Sequence, residues 1–207
     1  MQSKHLLLDR ALRNARRDVW VERDLHWAQW LHRVAQYQTP VKALVIVSKL
    51  GDGLFWYVLI AALALLGGTH GRDVAAQMVL AGLLNLPLYF WLKHSIGRPR
   101  PFVACPDIRA CVRALDKFSF PSGHTLHAFA FAVVFSWHFP MVGAALAPLV
   151  LLIAVSRVAL GLHYPSDVAA GALIGAYLAA LDTLSASDTI ARFSEPAGMP
   201  KARTRRS

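Results

Sequence analysis

Residues 74–92, VAAQMVLAGLLNLPLYFWL, run without a charged side chain and end directly on residues 93–101, KHSIGRPRP. A helix of about 20 apolar residues is what the hydrocarbon core of a bilayer requires. Four further apolar stretches surround this one, at about 54–68, 124–139, 141–162 and 167–185. Several fall short of a full crossing, and Trp56, Trp91 and Trp137 stand near their ends, where tryptophan marks or extends a membrane helix. The pattern predicts an all-α, polytopic membrane helix bundle of about five spanning helices, or six if the N-terminal arm holds another. Composition agrees. The 207 residues are 56% hydrophobic and 16% charged, with positive mean hydropathy, which is too apolar for an ordinary soluble domain.

Upstream of the bundle, residues 1–50 read as a basic arm. Its apolar residues fall in helical clusters, Leu6, Leu7, Leu8, Ala11, Leu12 and Ala15, then Trp20, Trp27, Trp30, Leu31 and Val34. Arg13, Arg16, Arg17, Asp18, Glu22, Arg23 and Asp24 exclude the uncharged core of a secretory signal. Such a helix lies in the lipid interface or packs on the bundle or a partner subunit. Val41–Leu50, carrying Lys42 and Lys49 and broken by Gly51-Asp52-Gly53, reads as a second interfacial helix. The expected organisation is therefore an arm at 1–50, a membrane domain at 51–187 and a polar basic tail at 188–207.

The net charge of +10 raises the question of nucleic acid. The basic residues sit in the arm, between Lys93 and Lys117, and in the tail, and no zinc-finger spacing or RNA-recognition signature accompanies them. Basic residues beside membrane helices facing anionic headgroups account for the same charge. Membrane lipids, not nucleic acid, are the expected partners, and a homo-oligomer is left open.

Connections at Gly68 to Asp73 and around Pro140 are short, so neighbouring helices are antiparallel; only Ile96 to Phe120 is long. Counting crossings from Lys93 brings three polar clusters to one membrane face: Lys93 to Pro101, Pro121-Ser122-Gly123-His124, and Ser156-Arg157 through His163 to Asp167. Ionisable groups gathered at the ends of apolar helices mark function. Gly171-Ala-Leu-Ile-Gly175 has the spacing for close helix approach and is read as packing.

The residue types point to phosphate. Lys93, Arg100 and Arg157 supply three cations, and guanidinium groups bind phosphate oxygens bidentately. The turn at Ser122 and Gly123 offers a hydroxyl, free backbone N–H groups and the positive end of a helix dipole. His163 and His124 offer a nucleophile and a general acid. Asp167, four residues beyond His163, is placed to orient that imidazole.

Together the stretches Lys-x6-Arg-Pro (Lys93, Arg100, Pro101), Pro-Ser-Gly-His (Pro121 to His124) and Ser-Arg-x5-His-x3-Asp (Ser156, Arg157, His163, Asp167) resemble the signature of the type 2 phosphatidic acid phosphatase (PAP2) superfamily, which also includes bacterial acid phosphatases and vanadium haloperoxidases. The resemblance implies a helical core and phosphoester hydrolysis with no metal and no cofactor. It also implies a phosphohistidine on His163 and protonation of the leaving group by His124. A membrane setting implies a lipid phosphate substrate, such as phosphatidate, phosphatidylglycerophosphate or a polyprenyl phosphate or diphosphate, and a multi-pass protein of a bacterial inner membrane. A phosphotransferase, a vanadium-dependent haloperoxidase and a non-enzymatic lipid-binding protein are the alternatives.

Arg98-Pro99 duplicates Arg100-Pro101; the family spacing selects Arg100 and leaves Arg98 as an additional headgroup or substrate contact. His94 and His127 read as loop or packing histidines. Cys105 and Cys111 either close a disulfide across the long loop or remain thiols. The Lys/Arg balance favours a cytoplasmic site, whereas lipid-acting relatives place it on the outer face, so orientation stays open, leaning to the family arrangement.

Overall fold

A computed structural model describes residues 21–194, with side chains up to 185. The first part of the basic arm, Leu6 to Trp20 included, and the tail from residue 195 lie outside the described residues. Helix α1 covers residues 21–32 and passes into a 3-10 turn at Arg33–Gln36. The remaining helices are α2 (Gln38–Leu50), α3 (Leu54–Leu66), α4 (Gly68–Ile96), the single turn α5 (Pro101–Ala104), α6 (Gly123–His138), α7 (Pro140–Ala159) and α8 (Pro165–Ser194). No strand occurs among the described residues.

Local sequence sets the ends that matter for the site. Gly97 adopts the left-handed conformation at φ 60° and its N–H caps the Lys93 carbonyl at 3.1 Å, so α4 stops one turn after Lys93 and the chain turns into Arg98–Pro101. Prolines begin α5, α7 and α8, where the missing N–H costs no helical hydrogen bond.

Helix α6 is the centre of the bundle, packed against α8, α7 and α4. A Cβ on Gly175 would lie 2.1 Å from the Leu126 carbonyl oxygen, and one on Gly171 would lie 2.6 Å from that of Ser122. The two glycines therefore let α8 approach the α6 backbone directly, the packing role expected of their spacing. Trp56, Val74, Met78, Phe131, Val134 and Ile153 fill the core below the site. The outer surface remains apolar, with Leu65, Leu66, Met141 and Leu173 largely exposed, as a lipid-facing surface requires.

Three helical segments, Gly68–Ala104, Pro140–Ala159 and Pro165–Ser185, are long and apolar enough to cross a membrane, and α2 with α3 qualifies as one span bent by 42°. Helix α6, at 16 residues, is shorter. The Val41–Leu50 stretch lies within α2, which the Gly51-Asp52-Gly53 break separates from α3. Arg157 bonds to Ser48 and Gly51 lies against Ile153, so α2 runs antiparallel along α7. The described part of the arm packs on the bundle: Ala28 is buried with Ile108, Val158 and Tyr164, while Trp27 and Trp30 face outward.

Candidate active site

The three polar clusters meet at one end of the bundle. Lys93, on the last turns of α4, is buried; its Nζ donates to Asp116 Oδ2 at 2.6 Å and to the Tyr89 hydroxyl at 2.7 Å. Arg100, also buried, donates through Nη2 to Asp116 Oδ1 at 2.8 Å, through Nε to the Asp116 carbonyl at 3.0 Å, and through Nη1 to the Leu162 carbonyl at 2.8 Å. The Asp116 carboxylate thus bridges Lys93 and Arg100. Burial opposes its ionisation, but the Lys93 and Arg100 cations outweigh burial and hold the carboxyl at about 2.

His163 is fully enclosed in the turn between α7 and α8. Its Nδ1 lies 2.7 Å from the Ser119 carbonyl. A carbonyl only accepts, so Nδ1 carries the proton and Nε2 presents a lone pair. That Nε2 receives Arg100 Nη1 at 3.3 Å. Burial depresses the imidazole to about 4, Arg157 and Arg100 add to the depression, and Asp167 opposes it. The ring is therefore neutral at pH 7, the form in which an imidazole can act as a nucleophile.

Asp167 stands one shell further from the ring than the i,i+4 spacing suggests. Its Oδ2 is 3.8 Å from His163 Nδ1 and accepts the Tyr164 N–H at 2.8 Å, while Oδ1 accepts Arg98 Nη1 at 2.8 Å. Asp167 thus organises the turn that carries His163, and the Ser119 carbonyl makes the direct hydrogen bond. Arg98 does not share Asp116 with Lys93 and Arg100. It pairs with Asp167 and with Asp24 of α1 at 2.6 Å, donates to Ser166 at 2.7 Å and stacks on Tyr164 at 3.8 Å.

The second cluster forms the start of α6. Ser122 is fully buried, its Oγ 3.0 Å from Thr125 Oγ1 and its N–H bonded to the Asp167 carbonyl at 3.0 Å. A Cβ at Gly123 would meet the Tyr89 ring at 2.9 Å, so glycine is needed for α6 to begin here. The opening N–H groups of the helix lack intrahelical acceptors and suit an anion. His124 Nε2 contacts the Asp52 carboxylate in the Gly-Asp-Gly break. Arg157, 3% exposed, donates Nη1 to Ser48 Oγ at 2.5 Å, while its Nε is buried with no partner. A buried guanidinium with a vacant donor is a costly arrangement that an anion relieves.

Two cavities of about 230 Å³ adjoin His124, both touching Asp52 and Leu115. One is walled by aromatic and aliphatic side chains, the other includes Arg157. A larger cavity, about 680 Å³ between α1 and the connecting loop, is lined by no residue of the three clusters. Cys105 and Cys111 are free thiols. His127 bonds its own helix at the Gly123 carbonyl, and His94 bonds the Phe90 carbonyl, consistent with packing and loop roles.

Asp52, Asp116 and Ser119 escape a reading of the sequence. The first lies in a helix break and the others in a loop, where no periodicity marks a partner.

The PAP2 superfamily profile matches residues 70–189. The chain belongs to the PAP2 superfamily. The matched region holds all three PAP2 clusters and leaves Asp52 and the arm outside it. The chain is 36% identical over 124 residues to a lipid A 1-phosphatase of Rhizobium johnstonii, covering 55% of this chain and 47% of that protein. It is 26% identical over 138 residues to the undecaprenyl-diphosphatase BcrC of Bacillus subtilis, covering 67% and 71%. Several curated relatives are thus spanned over less than two thirds of their length. Among solved structures, the transmembrane PAP2-type phosphatidylglycerolphosphate phosphatase of Bacillus subtilis superposes with a TM-score of 0.70 at 26% identity, covering 84% of this chain and 89% of that one. The likeness extends through the helical bundle, so this PAP2 chain is a membrane protein.

Proposed function

We propose that the chain is an integral membrane lipid phosphatase that hydrolyses a lipid phosphomonoester or diphosphate through a phosphohistidine on His163. The observation that carries this reading is the hydrogen bond between His163 Nδ1 and the Ser119 carbonyl, which leaves Nε2 unprotonated beside the Arg100 guanidinium. Nε2 forms a bond to phosphorus as the bond to the leaving oxygen breaks, and His124 gives that oxygen its proton. Water, deprotonated by His124, then displaces phosphate from His163. Lys93, Arg100, Arg157, Ser122 and the N–H groups at Gly123 hold the phosphate oxygens and stabilise the charge of the transition state.

The cations of this site are side chains, and no cluster of three or more metal-ligating residues occurs among the described residues; a metal-free reaction is part of the proposal. A site at the end of an apolar bundle favours an amphiphile, as do the lipid substrates in the names of the relatives. The bacterial inner membrane is the proposed location. Phosphate release by the purified protein, measured with chelator across phosphatidate, phosphatidylglycerophosphate, polyprenyl phosphate and polyprenyl diphosphate, tests the reading. Turnover of at least one of these lipids is expected; turnover of none, or its loss in chelator, overturns it.

A further inference from the structure

We propose that the Arg157-lined cavity is a subsite for the second phosphate of a lipid diphosphate, held by Lys49 of α2 and Arg113 of the connecting loop; this rests on the phosphatase reading above. The two cavities meet at His124, Asp52 and Leu115. The leaving oxygen must lie at His124, which protonates it, so whatever the leaving group carries extends from that junction. One route is apolar, walled by Trp56, Tyr57, Leu86 and Phe131, and suits a hydrocarbon chain. The other presents Ser48, Lys49, Arg113 and Arg157.

A phosphomonoester has no use for that second route. In the proposed reaction Lys93, Arg100 and Arg157 hold the reacting phosphate, whereas Lys49 and Arg113 have no ion pair or side-chain hydrogen bond among the described residues. The buried, unpartnered Nε of Arg157 adds a donor on the same wall. In a diphosphate the leaving oxygen bridges two phosphorus atoms, and the second carries further negative charge to the place where these cations stand. Asp52 is the acid of this wall, and it faces His124, whose proton is the one delivered. The step balances. Nε2 of His163 bonds to the terminal phosphorus, the bridging P–O bond breaks, the bridging oxygen takes the His124 proton, and lipid monophosphate departs from Lys49 and Arg113.

The test compares wild type with Lys49→Met, Arg113→Met and the double variant, on polyprenyl diphosphate and on polyprenyl monophosphate of the same chain in the same micelles. Removing either cation is expected to lower kcat/KM for the diphosphate about 10-fold or more, with the monophosphate changed less than about twofold. Both side chains are exposed, so the variants fold, and melting curves check this. Equal losses on both substrates would assign the cations to anionic headgroups of the bilayer and overturn the subsite, as would no loss on either. Calorimetric titration with methylenediphosphonate and with inorganic phosphate reads the subsite independently of turnover. Only the diphosphonate affinity is expected to fall in the double variant; unchanged diphosphonate affinity contradicts the proposal even if the phosphatase reading itself fails.

Discussion

The carboxylate of Asp52 lies against Nε2 of His124, joining the break between α2 and α3 to the first turn of α6. Burial and the Arg157 cation push the His124 imidazole down, and the Asp52 carboxylate opposes them, favouring the protonated form that a general acid needs. Asp52→Asn is expected to slow a lipid phosphate, whose alkoxide must be protonated, by about 10- to 100-fold. It should leave p-nitrophenyl phosphate, whose leaving group departs unaided, within about threefold. Equal losses on both would make Asp52 a structural residue only.

Asp116 holds two buried cations together from a position one third exposed. Asp116→Ala leaves Lys93 and Arg100 without their shared carboxylate. A loss of about 2 kcal/mol is expected, below that for a fully buried pair because water reaches the site. Thermal unfolding in detergent checks it; a variant as stable as wild type would show that solvent replaces Asp116 without cost.

The depressed His163 imidazole carries a sign for stability. Its value is about 4 in the folded protein against 6.5 ordinarily, so between those pH values the unfolded chain binds a proton that the folded chain refuses. Stability therefore rises with pH through that window and is level, for this group, above 6.5. The apparent melting temperature of wild type should climb between pH 4 and 6.5 more steeply than that of His163→Gln, which has no titrating ring. Identical slopes would place the proton elsewhere.

Gly175 is a packing position. Its absent Cβ would stand 2.1 Å from the Leu126 carbonyl oxygen, which is backbone and cannot swing aside. Gly175→Val should force α8 away from α6, lowering stability by about 3 kcal/mol or preventing folding. Size-exclusion profiles and melting curves measure this, and a normal profile would show the helices to be separable.

Much of this site is legible in the sequence because chemistry and periodicity coincide there. Lys93, His124, Arg157 and His163 stand at the ends of apolar stretches, so counting helices brings them to one face, and the structure brings them together. The Gly171 and Gly175 spacing reads directly as contact. What stays hidden depends on loops and on breaks. The path from Ile96 to Phe120 decides that Ser119, not Asp167, meets His163 Nδ1. Arg98, two residues from Arg100 in an identical dipeptide, points instead to Asp24 and Asp167. Helix α2 reads as interfacial by its lysines, yet its packing along α7 brings Ser48 to Arg157.

The proposed phosphohistidine forms at Nε2 of His163. With chelator present, protein mixed with lipid substrate labelled in its terminal phosphate is quenched in alkali. Protein-bound label that survives base, is released by acid and is absent from His163→Ala is expected. Label of the same kind on His163→Ala, or undiminished phosphate release by that variant, would contradict it.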